Sequence, residues 1–173
     1  MALEIERRFL VIDETWRQHV EWEAEIKQGY LFSSEDGLTT RIRVQTQPNR
    51  APQAWLTIKA KGPSKVMAHA RLEFEYAIPV EDAEELLSLS PWYLEKKRHG
   101  LHLSEGDWVL DIFSGSNSPL VIAEVELTHP EAKPPIPVWC GKEVTGVHQL
   151  SNAALARHPL QNWQKSEIRT LLD

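Results

Sequence analysis

Apolar and charged residues alternate with period two along much of this chain, and in most stretches the majority of the charges fall on one face. Glu4 to Val11, Thr39 to Thr46, Ala54 to Lys61, Ala70 to Ile78, Asp107 to Phe113 and Leu120 to Thr128 follow this rule. Glu23 to Phe32 and Tyr93 to His99 follow it more weakly. Period two is the spacing of a strand with one face buried. Eight such strands within 173 residues predict a mainly β (α+β) chain whose sheet closes on itself or nearly so, because closure removes exposed edges. Turn residues punctuate the strands at Glu35-Asp36-Gly37, Gln47-Pro48-Asn49, Gly62-Pro63, Glu105-Gly106-Asp107 and Gly115 to Pro119. Helices are few and peripheral. Val80 to Ser88 opens on acids and stops near Pro91, and Asp13 to Val20 is a short candidate. Ser151 is placed to cap a helix through Arg157, and Asn162 one through Leu172. Pro130 to Pro137 predicts an extended connector, and residues 1–173 form a single domain without internal repeat.

The polar faces are unusual in their charge. Glu4, Glu6 and Arg8 share one face, as do Arg41 and Arg43, Lys59 and Lys61, and Arg71, Glu73 and Glu75. Asp111, the pair Glu124 and Glu126, and the pair Lys96 and Arg98 complete the set. One charged strand face ordinarily meets water. When every long strand carries one and the sheet closes, the charged faces line the bore. Unpaired buried charge is too costly to keep, so such a bore is wet and functional. Carboxylates at i and i+2 point the same way, about 7 Å apart. The pairs Glu4/Glu6 and Glu124/Glu126, with Asp111, offer hard oxygen ligands suited to Mg²⁺ or Mn²⁺. Arginines and lysines on neighbouring strands suit phosphate oxygens. Together they predict a site for a metal-bound polyphosphate anion.

The net charge of −6 argues against a broad nucleic-acid surface. The bore set itself holds seven acids and eight bases, which leaves 18 acids against 11 bases elsewhere, so the acidity belongs to the outside. No apolar run approaches the roughly 20 residues of a membrane helix. The charged N-terminus shows no signal peptide, which predicts a cytoplasmic protein. One cysteine, Cys140, excludes an internal disulfide and is read as a packed thiol beside Trp139. His99 and His102 lack a zinc spacing. Trp16, Trp22, Trp92 and Trp163 are read as packing residues of helices or loops. Trp55 shares the face of Thr57 and Lys59, and packing is favoured there over contact with a substrate base.

Glu4-Ile5-Glu6-Arg7-Arg8-Phe9-Leu10-Val11 resembles the N-terminal ExExK signature of CYTH proteins, also called triphosphate tunnel metalloenzymes. Gln28-Gly29-Tyr30-Leu31, Arg41-Ile42-Arg43, Leu56 to Lys59, Arg71 to Glu75, Glu95 to Arg98, Leu110 to Phe113, Glu124 to Glu126 and Trp139 to Thr145 extend the resemblance over residues 2 to 157, leaving 158–173 as a helical tail. The likeness is to small bacterial members similar to inorganic triphosphatases. It implies an eight-stranded antiparallel tunnel and Mg²⁺- or Mn²⁺-dependent hydrolysis of a triphosphate at its terminal phosphoryl group. Glu4, Glu6, Asp111, Glu124 and Glu126 then correspond to metal-binding acids, and Arg41, Arg43, Lys59, Arg71, Lys96 and Arg98 to phosphate-binding bases. Glu4, Glu6 and Arg8 are the candidate catalytic set, and Glu73 and Glu75 are tunnel acids without an assigned task. The implied partner is a small polyphosphate or nucleoside triphosphate, and a homodimer is possible.

Two departures stand out. Arg8 occupies the place of the signature lysine, keeping the charge but not readily losing a proton. Gly146 to Ala153 offers only His148 and Asn152 where related chains carry basic residues and a Tyr. Two other activities fit the same residues: conversion of ATP to cyclic AMP, as in class IV adenylyl cyclases, and polyphosphate or nucleotide binding without turnover.

Overall fold

The computed structural model describes residues 3–61 and 70–172, so the turn expected at Gly62-Pro63 lies outside the described residues. The strands are β1 (Leu3–Val11), β2 (Val20–Ser33), β3 (Thr39–Thr46), β4 (Gln53–Lys61), β5 (Ala70–Ile78), β6 (Trp92–Leu101), β7 (Asp107–Phe113), β8 (Val121–Glu126) and β9 (Cys140–Glu143). All pairings are antiparallel, in the order β5-β4-β3-β2-β6-β7-β8-β1-β9. A further β5–β1 pairing sets Leu3 opposite Leu72, Glu4 opposite Arg71 and Ile5 opposite Ala70. That pairing closes β1 to β8 into an eight-stranded barrel. β9 lies outside the ring on β1, opposite Phe9 and Val11. Its four residues, Cys-Gly-Lys-Glu, show no alternation, which is why the sequence predicts no strand there.

Three helices accompany the strands: α1 (Val80–Leu89), α2 (Asn152–Arg157) and α3 (Lys165–Leu172). The helix expected over Asp13 to Val20 is a 3₁₀ turn at Thr15–His19, started by Asp13, whose carboxylate accepts from both the amide and the hydroxyl of Thr15. The last helix begins at Lys165, because Leu160–Asn162 closes first as a separate 3₁₀ turn. Ser151 caps α2 as expected, its Oγ accepting from the Ala154 amide at 3.2 Å. Trp22 and Trp92, expected in helical or loop segments, lie in strands β2 and β6.

Residues directly opposed in an antiparallel ladder share a face. Glu4 faces Arg71, which faces Lys61. Lys59 faces Glu73, and Thr57 faces both Glu75 and Arg41. Arg98 faces Asp111, Arg8 faces Glu124, and Glu6 faces Glu126. One side of the sheet therefore collects the charged set, and closure turns that side inward.

Much of the outer face is apolar and covered, while Phe74 and Tyr76 of β5 are exposed. Helix α1 packs Ala83 and Leu87 on Ile42, Val44 and Ala54. It passes so close to β2 that a Cβ on Gly29 would lie 2.5 Å from the Ser90 hydroxyl and 2.8 Å from Leu87. A second cluster joins Phe9, Trp16, Leu101, Trp108, Val125 and Trp139. A third cluster differs in kind. Leu94, Phe113 and Ile122 belong to the bore face, and Val144, Leu150, Leu155 and Trp163 pack onto them. The segment after β9 thus closes one end of the bore with an apolar plug. Among the described residues no helix is long and apolar enough to cross a membrane.

Candidate active site

At the plugged end the charges form a compact knot. Asp111, fully buried, accepts from Arg98 Nε and Nη2 at 2.8 Å each and from Lys96 Nζ at 2.5 Å. Burial alone would raise its pKa, but Arg98 and Lys96 hold it below the usual carboxylate range. Glu124 is buried as well and is lowered mainly by Arg8, which donates from Nε at 2.9 Å. Arg98 Nη2 reaches the other Glu124 oxygen at 3.2 Å. Lys96 also approaches Asn152 Oδ1 of α2 at 3.4 Å, so the knot touches the plug.

A second group lies along β3, β4, β5 and the start of β1. Lys59 Nζ donates to both oxygens of Glu4 at 2.7–2.8 Å and lies 3.3 Å from Glu73. Burial opposes ionisation of Glu4, but Lys59 more than offsets it and brings the carboxyl down to about 2. Arg41 reaches Thr57 at 3.0 Å, Glu75 at 3.2 Å and Glu73 at 3.4 Å. Arg43 pairs with Glu75 at 3.1 Å, and its guanidinium lies over the Trp55 ring, 4.9 Å from the centroid. Trp55 therefore packs on a bore arginine rather than on the outer core. Arg71 donates to the Gly37 carbonyl at 2.8 Å, where Gly37 turns β2 into β3 at φ 85°.

Among the described residues, two of the bore acids have no cation within hydrogen-bond distance. Glu6 has Arg8 Nε no nearer than 3.9 Å, and burial followed by the charges of Glu124 and Glu4 pushes it up to about 7. Glu126 is raised by burial, then by Glu4 and Asp107. This acid-rich edge is the part of the bore short of positive charge.

A cavity of about 360 Å³ opens between the two groups, in the size range of a small-molecule site. Arg8, Arg41, Lys59, Lys61 and Arg71 line it, with Glu6 on its acidic side. Thr145, His148, Ser151 and Asn152 of the plug segment complete the wall, with Tyr30 and the turn from Ser33 to Gly37. The structure brings Glu4, Glu6, Arg8, Arg41, Lys59 and Arg71 around or beside this cavity. Lys96, Arg98, Asp111 and Glu124 sit in the knot, Arg43 and Glu75 pair beside Trp55, and Glu126 stands exposed at the end of β8. Lys61, placed in the charged bore set but given no task, lines the cavity, as do Tyr30 and Thr145, to which sequence reasoning assigned no role. Lys61 had its i, i+2 relation to Lys59 as a signal, whereas Tyr30 and Thr145 had none beyond their neighbourhood. Cys140 is a half-buried free thiol that burial pushes up to about 12.

The donor set suits a hard divalent cation in part. Among the described residues no three acid, His or Cys side chains converge into a protein-only cage. Glu6 and Glu126 have oxygens uncommitted to any cation, and Glu4 stands next to them, so oxygen ligands from water and a phosphate would complete the shell.

A closed antiparallel barrel with a bore of alternating acids and bases defines a tunnel protein built to hold a small polyanion. The CYTH domain model matches residues 2–157, and the chain belongs to the CYTH family. It is 34% identical over 167 residues to an inorganic triphosphatase of Acetivibrio thermocellus, covering 95% of this chain and all of that protein. It is 33% identical over 157 residues to an inorganic triphosphatase of Nitrosomonas europaea, covering 88% of this chain and 96% of that one. A solved inorganic triphosphatase structure superposes with a TM-score of 0.60 at 31% identity, over 90% of this chain and 95% of the other.

Proposed function

We propose that this chain hydrolyses a triphosphate, inorganic tripolyphosphate or a small organic triphosphate, at its terminal phosphoryl group, with Mg²⁺ or Mn²⁺. The observation that carries the reading is the cavity, which five basic side chains line together with Glu6, whose carboxyl burial and neighbouring acids push up. Arg41, Lys59, Lys61 and Arg71 neutralise the phosphate oxygens, and Arg8 reaches the same space from the plugged side. Glu73 and Glu75 hold Arg41, Arg43 and Lys59 in place when the anion is absent. Lys96 and Arg98 contribute mainly to the field, since Asp111 and Glu124 already occupy their donors.

Glu4, Glu6 and Glu126 are the first candidates to hold the cation. Asp111 and Glu124 would join only by giving up contacts to Lys96, Arg98 and Arg8. When bound there, a divalent cation would supply Lewis-acid charge neutralisation to the phosphoryl group. The chain's own residues supply positioning and charge stabilisation for in-line attack, and no covalent intermediate is needed. The identities to the two inorganic triphosphatases support the same reaction class.

The test is phosphate release from tripolyphosphate, ATP and thiamine triphosphate, with Mg²⁺, with Mn²⁺ and with chelator. Metal-dependent release from at least one substrate is expected. Cyclic AMP and pyrophosphate from ATP would replace hydrolysis by cyclisation. Tight tripolyphosphate binding without turnover in folded protein would reduce the site to a binding module.

A further inference from the structure

The bore bases are not all neutralised alike. Arg8 pairs with Glu124, Arg41 with Glu73 and Glu75, and Arg43 with Glu75. Lys59 pairs with Glu4, and both Lys96 and Arg98 pair with Asp111. Among the described residues, Lys61 and Arg71 form no ion pair, although both line the cavity. They lie directly opposite each other on β4 and β5. On its other side Arg71 lies opposite Glu4, whose carboxylate is already held by Lys59. Glu35 lines the same cavity and pairs with neither base.

The turn between β2 and β3 gathers the two bases. Arg71 Nη2 donates to the Gly37 carbonyl at 2.8 Å. A Cβ on Gly37 would lie 3.7 Å from Lys61 Cγ and 3.8 Å from Arg71 Nη2, so the lysine stem runs beside the same turn. Lys61 is exposed and Arg71 half-buried, which puts the pair at the rim of the cavity. Like charges opposed across a ladder repel. An anion shared between them removes that repulsion, and an ammonium beside a guanidinium offers it several N–H donors.

The rest of the cavity sets which end of the anion arrives there. Glu6, among the first candidates to hold the divalent cation, lines the same space, and the phosphoryl group under attack belongs on that side. The rim pair then meets the phosphoryl group at the far end. In tripolyphosphate that group has three unbridged oxygens and can carry two negative charges. In an organic triphosphate it is an ester, with two unbridged oxygens and a single charge. Two bases without a counter-charge match the first better than the second.

We propose that Lys61, paired with Arg71, is a specificity-determining residue that reads the extra charge of an unesterified outer phosphoryl group and so favours inorganic tripolyphosphate over organic triphosphates. The proposal rests on the triphosphate reading of the cavity and narrows its substrate.

The test is the affinity of the full chain for tripolyphosphate and for methyl triphosphate, measured by calorimetry in chelator so that no turnover intervenes. Methyl triphosphate has the same length and differs only by a methyl ester on the outer phosphoryl group, so bulk plays little part. The wild type binds tripolyphosphate about tenfold or more tighter. Lys61→Met weakens tripolyphosphate about tenfold and methyl triphosphate about threefold or less, so the preference shrinks, whereas Lys61→Arg keeps most of it. A residue that only shaped the rim would move both ligands alike. Wild-type protein that binds the two anions equally overturns the proposal, and so does a Lys61→Met variant that retains the wild-type ratio. Failure of the wild type to bind either anion removes the triphosphate reading and the proposal together. The preference without phosphate release from tripolyphosphate in Mg²⁺ contradicts the hydrolase reading and leaves the assignment of Lys61 intact.

Discussion

Glu6 lines the cavity beside other carboxyls and without a cation in hydrogen-bond reach, and this gives it a pH signature. Its carboxyl is pushed up to about 7 from an ordinary 4.5 by burial and by Glu124 and Glu4. A raised carboxyl favours the fold while the folded state keeps the proton. The contribution is present below about pH 4.5 and is lost as pH rises through about 7. Chelated Glu6→Gln protein is therefore expected to match the wild type near pH 5. Near pH 8 it should exceed it by on the order of 1 kcal/mol, the shift being discounted because the side chain is one-third exposed. Urea unfolding at the two pH values checks this, and an equal difference at both would contradict it. Asp111 is the opposite case, fully compensated and fully buried. Asp111→Asn keeps the shape but leaves Lys96 and Arg98 without their main counter-charge. It should cost about 3–5 kcal/mol in urea unfolding, and a loss below about 1 kcal/mol would argue that water relieves the knot.

At the level of elements, the charged strand faces were legible because alternation fixes which residues share a side, whatever the strand order. The capping of α2 was legible too, since Ser151 precedes a short apolar helix. Ser151→Ala should loosen α2 by about 1 kcal/mol, read as faster amide exchange within Asn152–Arg157 while the barrel strands stay protected. Three features were not legible. β9 pairs with β1 through four residues without a pattern, and its placement depends on where β1 leaves β5. The plug draws Leu150, Leu155 and Trp163 onto Leu94, Phe113 and Ile122 of the bore, and no local period announces a contact between segments so far apart. The division of the bases into free and neutralised depends on register. Arg98 lies opposite Asp111, whereas Lys61 lies opposite Arg71 and so faces the cavity without a carboxylate across the ladder. Helix α1 gives a further check on packing. Gly29→Ala would drive a methyl into Ser90 and Leu87 and should destabilise the chain by about 1–3 kcal/mol by thermal or urea unfolding.

For the whole molecule, the barrel separates two electrostatic worlds. The outside carries the excess of acids, and the inside holds a near-balanced set in which one end is locked by Asp111 and Glu124 while the other opens onto a basic cavity. A net charge of −6 is therefore compatible with recognition of a small, highly charged anion, because the surface that meets it is enclosed. Membership of the CYTH family and the match to inorganic triphosphatases agree with that layout. The central claim is hydrolysis of a triphosphate in this cavity. The most direct measurement is phosphate release from tripolyphosphate by the wild type and by a folded Arg41→Ala/Arg71→Ala variant, in Mg²⁺, in Mn²⁺ and in chelator. The account predicts release by the wild type with metal, none in chelator, and a fall of about a hundredfold or more in kcat/KM for the variant. Folded wild-type protein that releases no phosphate with either metal, or a double variant as active as the wild type, would contradict it.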